Sequence, residues 1–136
     1  MTAWYLPAFI AFVLWGLWAF IPKITVQYLD PRSALFFQAL GAFAFGLAVL
    51  ASLEFRPMLH ARAVPLALLT GLLGVGGGFA YLYAVARGPV GLIAILTALY
   101  PILTLLLAFL FLGETVTPRQ FAGIILGIIA LVLIAG

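Results

Sequence analysis

The stretch Val90–Leu112 reads VGLIAILTALYPILTLLLAFLFL and contains no charged residue. Arg87-Gly88-Pro89 precedes it and Gly113-Glu114 follows it. About 20 apolar residues in helical conformation match the hydrocarbon thickness of a bilayer. A strand of a membrane barrel needs only about ten residues, and they alternate in polarity; this stretch is twice that length and does not alternate. It is read as a membrane-spanning helix.

Working outward, the same pattern recurs. Apolar runs cover about residues 4–22, 33–53, 63–85, 90–112 and 118–135, charged only at Arg119 near the start of the last. The run over 33–53 would be about 31 Å long as a helix, again the thickness of a hydrocarbon core. Trp4 and Tyr5 fit an interfacial aromatic belt. Asp30-Pro31 and Thr117-Pro118 each place a capping side chain before a proline at the first helical position, so they predict where the second and fifth helices begin. The predicted fold class is all-α membrane protein with five transmembrane helices, forming a single domain over 1–136. No positive segment precedes the first run, so it is expected to be a retained span and not a cleaved signal.

Composition agrees. Hydrophobic residues make up 68% of the chain and charged residues 7%, against about 25% charged in an average globular chain; mean hydropathy is +1.37. The net charge of +3 comes from few groups with no basic cluster, so a nucleic-acid partner is not expected. The absence of cysteine excludes a disulfide frame, thiolate metal ligands and a thiol nucleophile. No metal or cofactor motif is present, and the spans lack the acids, histidine and cysteine that an intramembrane enzyme would need.

The charges lie between the runs or at their edges. Lys23, Arg32 and Arg87 fall on one side of the membrane, and Arg56, Arg62 and Arg119 on the other. Three against three gives the positive-inside bias nothing to act on. A chain without a preferred orientation is a candidate for an antiparallel homodimer.

Within the runs, Gly71, Gly74 and Gly78 share a helical face, and Gly76-Gly77-Gly78 are consecutive. They serve either as a surface for close helix packing or as a bend during transport; Gly74, Gly76, Gly77 and Gly78 are the hinge candidates, together with Pro101. Thr97, Tyr100, Pro101, Thr104 and Ala108 fall on or near one face of the fourth helix. Pro101 leaves a carbonyl near Thr97 without its donor. The stripe either lines a cavity or bonds back to its own helix. Gln38 is read as the amide within the spans, either packing or contacting substrate. Trp15 and Trp18 share a face, as an aromatic wall or as core volume. Tyr81 and Tyr83 point to different faces. Gly123 and Gly127 form a GxxxG pair, a helix-crossing motif and a dimer-packing candidate. His60 and Glu114 are read as a solvated loop residue and a helix-terminus charge.

Several of these segments together resemble a known family. They are Gly78-Phe79-Ala80-Tyr81-Leu82-Tyr83-Ala84-Val85-Ala86, Gly88-Pro89-Val90, Leu96-Thr97-Ala98-Leu99-Tyr100-Pro101, Phe111-Leu112-Gly113-Glu114-Thr115, Thr117-Pro118 and Gly123, with Trp15-Gly16 and Lys23 earlier. In order and spacing they resemble the EamA domain of the drug/metabolite transporter superfamily. The resemblance implies half of a ten-helix fold made of two inverted five-helix halves. It also implies transport of small metabolites, with site residues drawn from the first four spans. Trp15, Gln38, Tyr81, Thr97, Tyr100 and Thr104 are the substrate-lining candidates. The expectation is uniport or exchange of a neutral or zwitterionic metabolite by alternating access, in a prokaryotic plasma (inner) membrane. The alternatives are a non-transporting membrane subunit and a half-transporter that needs a different partner chain.

Overall fold

The computed structural model describes residues 5–135, all of its regular structure being helical. Helix α1 spans Tyr5–Thr25, α2 Pro31–Ser52 and α3 Ala63–Arg87. The fourth apolar run is divided into α4 (Val90–Thr97), α5 (Tyr100–Leu107) and a π-helical turn over Ala108–Leu112; α6 spans Pro118–Ala135. Trp4, expected at the interface, lies outside the described residues.

Among the described residues, four stretches are long and apolar enough to cross a membrane: Tyr5–Thr25, Pro31–Ser52, Ala63–Arg87 and Val90–Leu112. Four of the five expected spans are met among the described residues. The last helix has 18 residues, about 27 Å at helical rise. The chain is a helical, multi-pass membrane protein.

Local chemistry sets the helix boundaries. At the start of α2, Asp30 accepts hydrogen bonds from the backbone N–H groups of Arg32 (2.9 Å) and Ser33 (3.2 Å) and from the Ser33 hydroxyl, with Pro31 in the first turn. α2 ends without glycine. Glu54 and Phe55 take left-handed backbone angles (φ 52° and 59°), and Phe55 N–H reaches back to Leu50 O (3.1 Å) while Glu54 N–H reaches Ala51 O (3.0 Å). This is the Schellman closure with a glutamate where glycine is usual. At α6, Thr117 and Gln120 cap one another: Thr117 N–H donates to Gln120 Oε1 (2.8 Å), and Gln120 N–H to Thr117 Oγ1 (3.3 Å). Such a box satisfies donors that a helix start leaves open.

The described contacts fall into two compact units, dividing between Arg87 and Gly88. In the first, α3 packs on both α1 and α2. Its buried residues are Pro22, Ala34, Gly78, Tyr81, Leu82 and Val85. They come from the end of α1, the start of α2 and the end of α3, so all lie at one end of the unit. The opposite half displays Phe12, Phe45 and Leu72, each more than two-thirds exposed. Surfaces this apolar are suited to lipid or to another apolar protein face. In the second unit, α4 packs on α6.

Candidate functional site

The closed end of the first unit is built around the last turns of α3. Trp18 of α1 lies against Tyr81, with ring centroids 5.4 Å apart and tilted by 32°. The Tyr81 hydroxyl donates to Ala19 O at 2.7 Å. Gly78 lies one turn earlier, and a Cβ there would be 3.5 Å from Trp18 Cζ2. The glycine thus gives the indole room to lie on α3. Lys23 Nζ donates to Val85 O at 2.8 Å, fastening the end of α1 to the end of α3. Two residues beyond Tyr81, Tyr83 turns to α2, where its hydroxyl accepts from Arg32 Nε at 3.3 Å. The expected divergence of the two tyrosines is what joins α3 to both neighbours.

Of the lining candidates in this unit, Tyr81 is 5% exposed and committed to α1. Trp15 is 63% exposed. Trp18 makes the contact between helices, and Trp15 does not share it. Gln38 is half-buried, one turn along α2 from buried Ala34, and its amide makes no hydrogen bond among the described residues. Of the hinge candidates, Gly74, Gly76 and Gly77 have open space where a Cβ would stand. α3 runs unbroken through them.

The break lies in the fourth run. Ala98 and Leu99 interrupt the helix. Leu99 N–H reaches Leu96 O (3.4 Å) and Ile102 N–H reaches Leu99 O (2.9 Å), both tight i→i−3 turns. Pro101 has no N–H to give the Thr97 carbonyl. Two residues of tight turn rotate the chain by about 40° beyond an α-helical path. The polar stripe expected over Thr97–Ala108 is therefore not one continuous face. The Thr97 hydroxyl donates to Ile93 O (2.9 Å) and Ala94 O (3.0 Å), and that of Thr104 to Tyr100 O (3.3 Å). Tyr100 is 58% exposed.

A groove of about 270 Å³ lies beside this break, lined by Ala98, Leu99, Pro101, Gln120, Gly123 and Gly127 among others. Pro101 and the GxxxG pair, expected to serve hinge and dimer respectively, thus meet in one place. Leu99 Cδ2 lies 3.9 Å from where a Cβ on Gly127 would stand. A second, more apolar groove of about 410 Å³ runs between α5 and α6 past Phe109, Phe121 and Ile124.

Two residues carry more than the sequence reading gave them. Gln120 lies within the fifth run, so Gln38 is not the only amide there; its spacing from Thr117 is the signal of a capping box. His60 is an exposed loop residue, as expected, and its Nδ1 also accepts from the N–H groups of Arg62 and Ala63, both at 3.3 Å, capping α3. Histidine is not a usual cap, so its type gave no signal.

Chemically, the described spans offer aromatic faces, hydroxyls, amides and a broken helix. The acids Asp30, Glu54 and Glu114 all lie outside the regular helices. Such a set can bind and release a small molecule. No curated protein and no solved structure matches this chain. The model of the EamA-like transporter family matches residues 2–136. Together with the apolar helices and the ordered motifs around Tyr81, Pro101 and Glu114, this match places the chain in the EamA-like transporter family, a family of membrane transporters of the drug/metabolite type.

Proposed function

We infer that this chain moves a small, neutral or zwitterionic organic metabolite across the membrane by alternating access, as uniport or exchange, and that it does so paired with an inverted second copy. The observation that carries the reading is the charge distribution. Lys23, Arg32 and Arg87 sit at the helix ends that border the connections on one face, and Arg56, Arg62 and Arg119 in or beside the connections on the other. With no bias to orient insertion, both orientations form, and two opposed copies generate the inverted repeat on which many transporters are built. In this reading α6 completes a fifth crossing, and the two compact units act as one five-helix domain in a prokaryotic inner membrane.

The first unit supports the pairing. Its helices are fastened at one end and are apolar and exposed from mid-span, at Trp15 and Gly74–Gly77, toward the other. The substrate-lining candidates are Trp15 and Gln38 in the first unit and Thr97, Tyr100 and Thr104 in the second. Tyr81 acts behind them by holding α1. The Ala98–Leu99 break supplies the bend. Energy coupling through a buried carboxylate is not part of the mechanism, since ionisable residues inside spans are the usual proton relays and these spans carry no acid.

Reconstitution tests this. Vesicles holding only the purified chain, preloaded with a pool of unlabelled metabolites, are expected to accelerate exchange of a labelled member without an ion gradient. Uphill uptake driven by a pH gradient would overturn the uniport or exchange mechanism.

A further inference from the structure

We propose that the closed end of the first unit holds an oxyanion-binding site, formed by Arg32 and Arg87 around Tyr83, which takes a phosphate or phosphodiester group. The two guanidiniums arrive from different helices, Arg32 from the first turn of α2 and Arg87 from the last turn of α3. Both settle on the same neutral side chain. Arg32 Nε donates to the Tyr83 hydroxyl at 3.3 Å. The Arg87 guanidinium carbon stands 5.1 Å from the Tyr83 ring centroid, and its Nη1 donates to Tyr83 O at 3.2 Å. Phe79 meets the same ring edge-on at 4.9 Å and fixes its orientation. Among the described residues, the remaining guanidinium N–H groups of both arginines make no hydrogen bond, and both side chains are exposed.

Packing alone does not account for this. A cation in the last turn of a helix is favoured by the helix dipole, so Arg87 would be expected there in any case. Arg32 is in the opposite situation: it stands in the first turn of α2, where the dipole disfavours positive charge. Asp30, two residues away, attracts Arg32 through space, but its oxygens accept from the Arg32 and Ser33 backbone N–H groups and the Ser33 hydroxyl and from no guanidinium N–H. Lys23 adds a third cation at the same end, turned to Val85 O. Two cations on one neutral side chain, with forked donors left over, supply the donor chemistry that guanidinium uses for phosphate. The position at helix ends is the level of lipid headgroups. The same chemistry serves a free phosphate in the aqueous phase. The site is independent of the transport and pairing readings, since it lies within one unit of one chain.

The test measures the unfolding midpoint of the detergent-solubilised full chain while phosphatidylglycerol, phosphatidylcholine, inorganic phosphate or chloride is titrated at matched ionic strength. Phosphatidylglycerol is expected to act at a concentration at least fivefold lower than phosphatidylcholine. The double variant Arg32→Gln/Arg87→Gln is expected to erase that preference, whereas Arg56→Gln/Arg62→Gln keeps it within twofold. Tyr83→Phe, which removes only the acceptor that holds Arg32, is expected to weaken it two- to threefold and carries the test if the double variant does not fold. A response to the lipid alone assigns the site to a headgroup; a response to inorganic phosphate as well, lost in the same variants, assigns it to a free oxyanion. No preference for either anion, an equal loss in the Arg56/Arg62 variant, or an unchanged Tyr83→Phe overturns the proposal.

Discussion

Gly78 separates a packing contact from a transport hinge, and the structure gives the scale of the effect. A Cβ at this position would stand 3.5 Å from Trp18 Cζ2, an ordinary van der Waals contact. Gly78→Ala therefore fits without displacement, and alanine is the better helix former by about 0.8–1.0 kcal/mol in water. Unfolded membrane chains stay largely helical, so the expected change runs from none to a gain of about 1 kcal/mol. Gly78→Leu has no such room. Its side chain must enter the space of an indole that is itself held against Tyr81 at 5.4 Å, and overpacking of this kind costs about 1–3 kcal/mol. Gly76→Leu, with nothing within 4 Å of its Cβ position, should change the stability of a single chain by no more than about 0.5 kcal/mol. The assay is the unfolding midpoint in detergent, read for each variant and for Gly78→Leu/Trp18→Ala. Removing the indole should recover most of the loss, a coupling that a double-mutant cycle reads directly. Equal destabilisation by alanine and leucine, or no recovery in the double variant, would refute the reasoning. Unchanged stability of Gly78→Ala with lost exchange would return the glycine to the hinge role.

Thr117→Ala removes one half of the capping box and should destabilise the second unit by about 1 kcal/mol, seen as faster amide exchange at Gln120. Pro101→Ala restores a donor for the Thr97 carbonyl; it should lengthen protection across Ala98–Leu99 and slow exchange transport, and unchanged transport would show that the break is not the bend. The Ser33 hydroxyl, followed by the Ser33 and Arg32 backbone N–H groups, holds the Asp30 carboxyl below its ordinary range. A carboxyl lowered on folding stabilises above its unfolded value, about pH 4, and that contribution is lost as pH falls through the lower folded value. Protection of the Arg32 and Ser33 amides should therefore hold down to about pH 4 and decline below it, whereas Asp30→Asn should show no such decline.

What the sequence disclosed is what short-range physics controls. The apolar runs and the caps at Asp30 and Thr117 depend on neighbours within a few positions and stand in the structure where the residues place them, whereas the fourth run reads as one helix and is broken at Ala98–Leu99. The family match over residues 2–136 bears out the resemblance drawn from the Tyr81, Pro101 and Glu114 motifs. The contacts of the closed end were hidden for a different reason. Tyr81 meets Ala19, and Lys23 meets Val85, across 62 positions each. Helices that are apolar all round carry no polar face to mark their inner side. Trp15 and Trp18 are alike in type and share a helix face, and only the placement of α3 makes Trp18 the one that packs.

The central claim is that this chain inserts both ways up and pairs with its inverted copy. With no native cysteine, single-cysteine variants are clean probes. Tyr28, in the connection between α1 and α2, is 81% exposed, and Met58, between α2 and α3, is 93% exposed; these connections lie on opposite faces of the membrane. Tyr28→Cys and Met58→Cys are each treated with a membrane-impermeant maleimide in intact cells, then with a permeant one. The account predicts that each site is labelled from outside in about half of the molecules, by the balance of charge. Labelling of one site nearly to completion, with the other untouched, would contradict it.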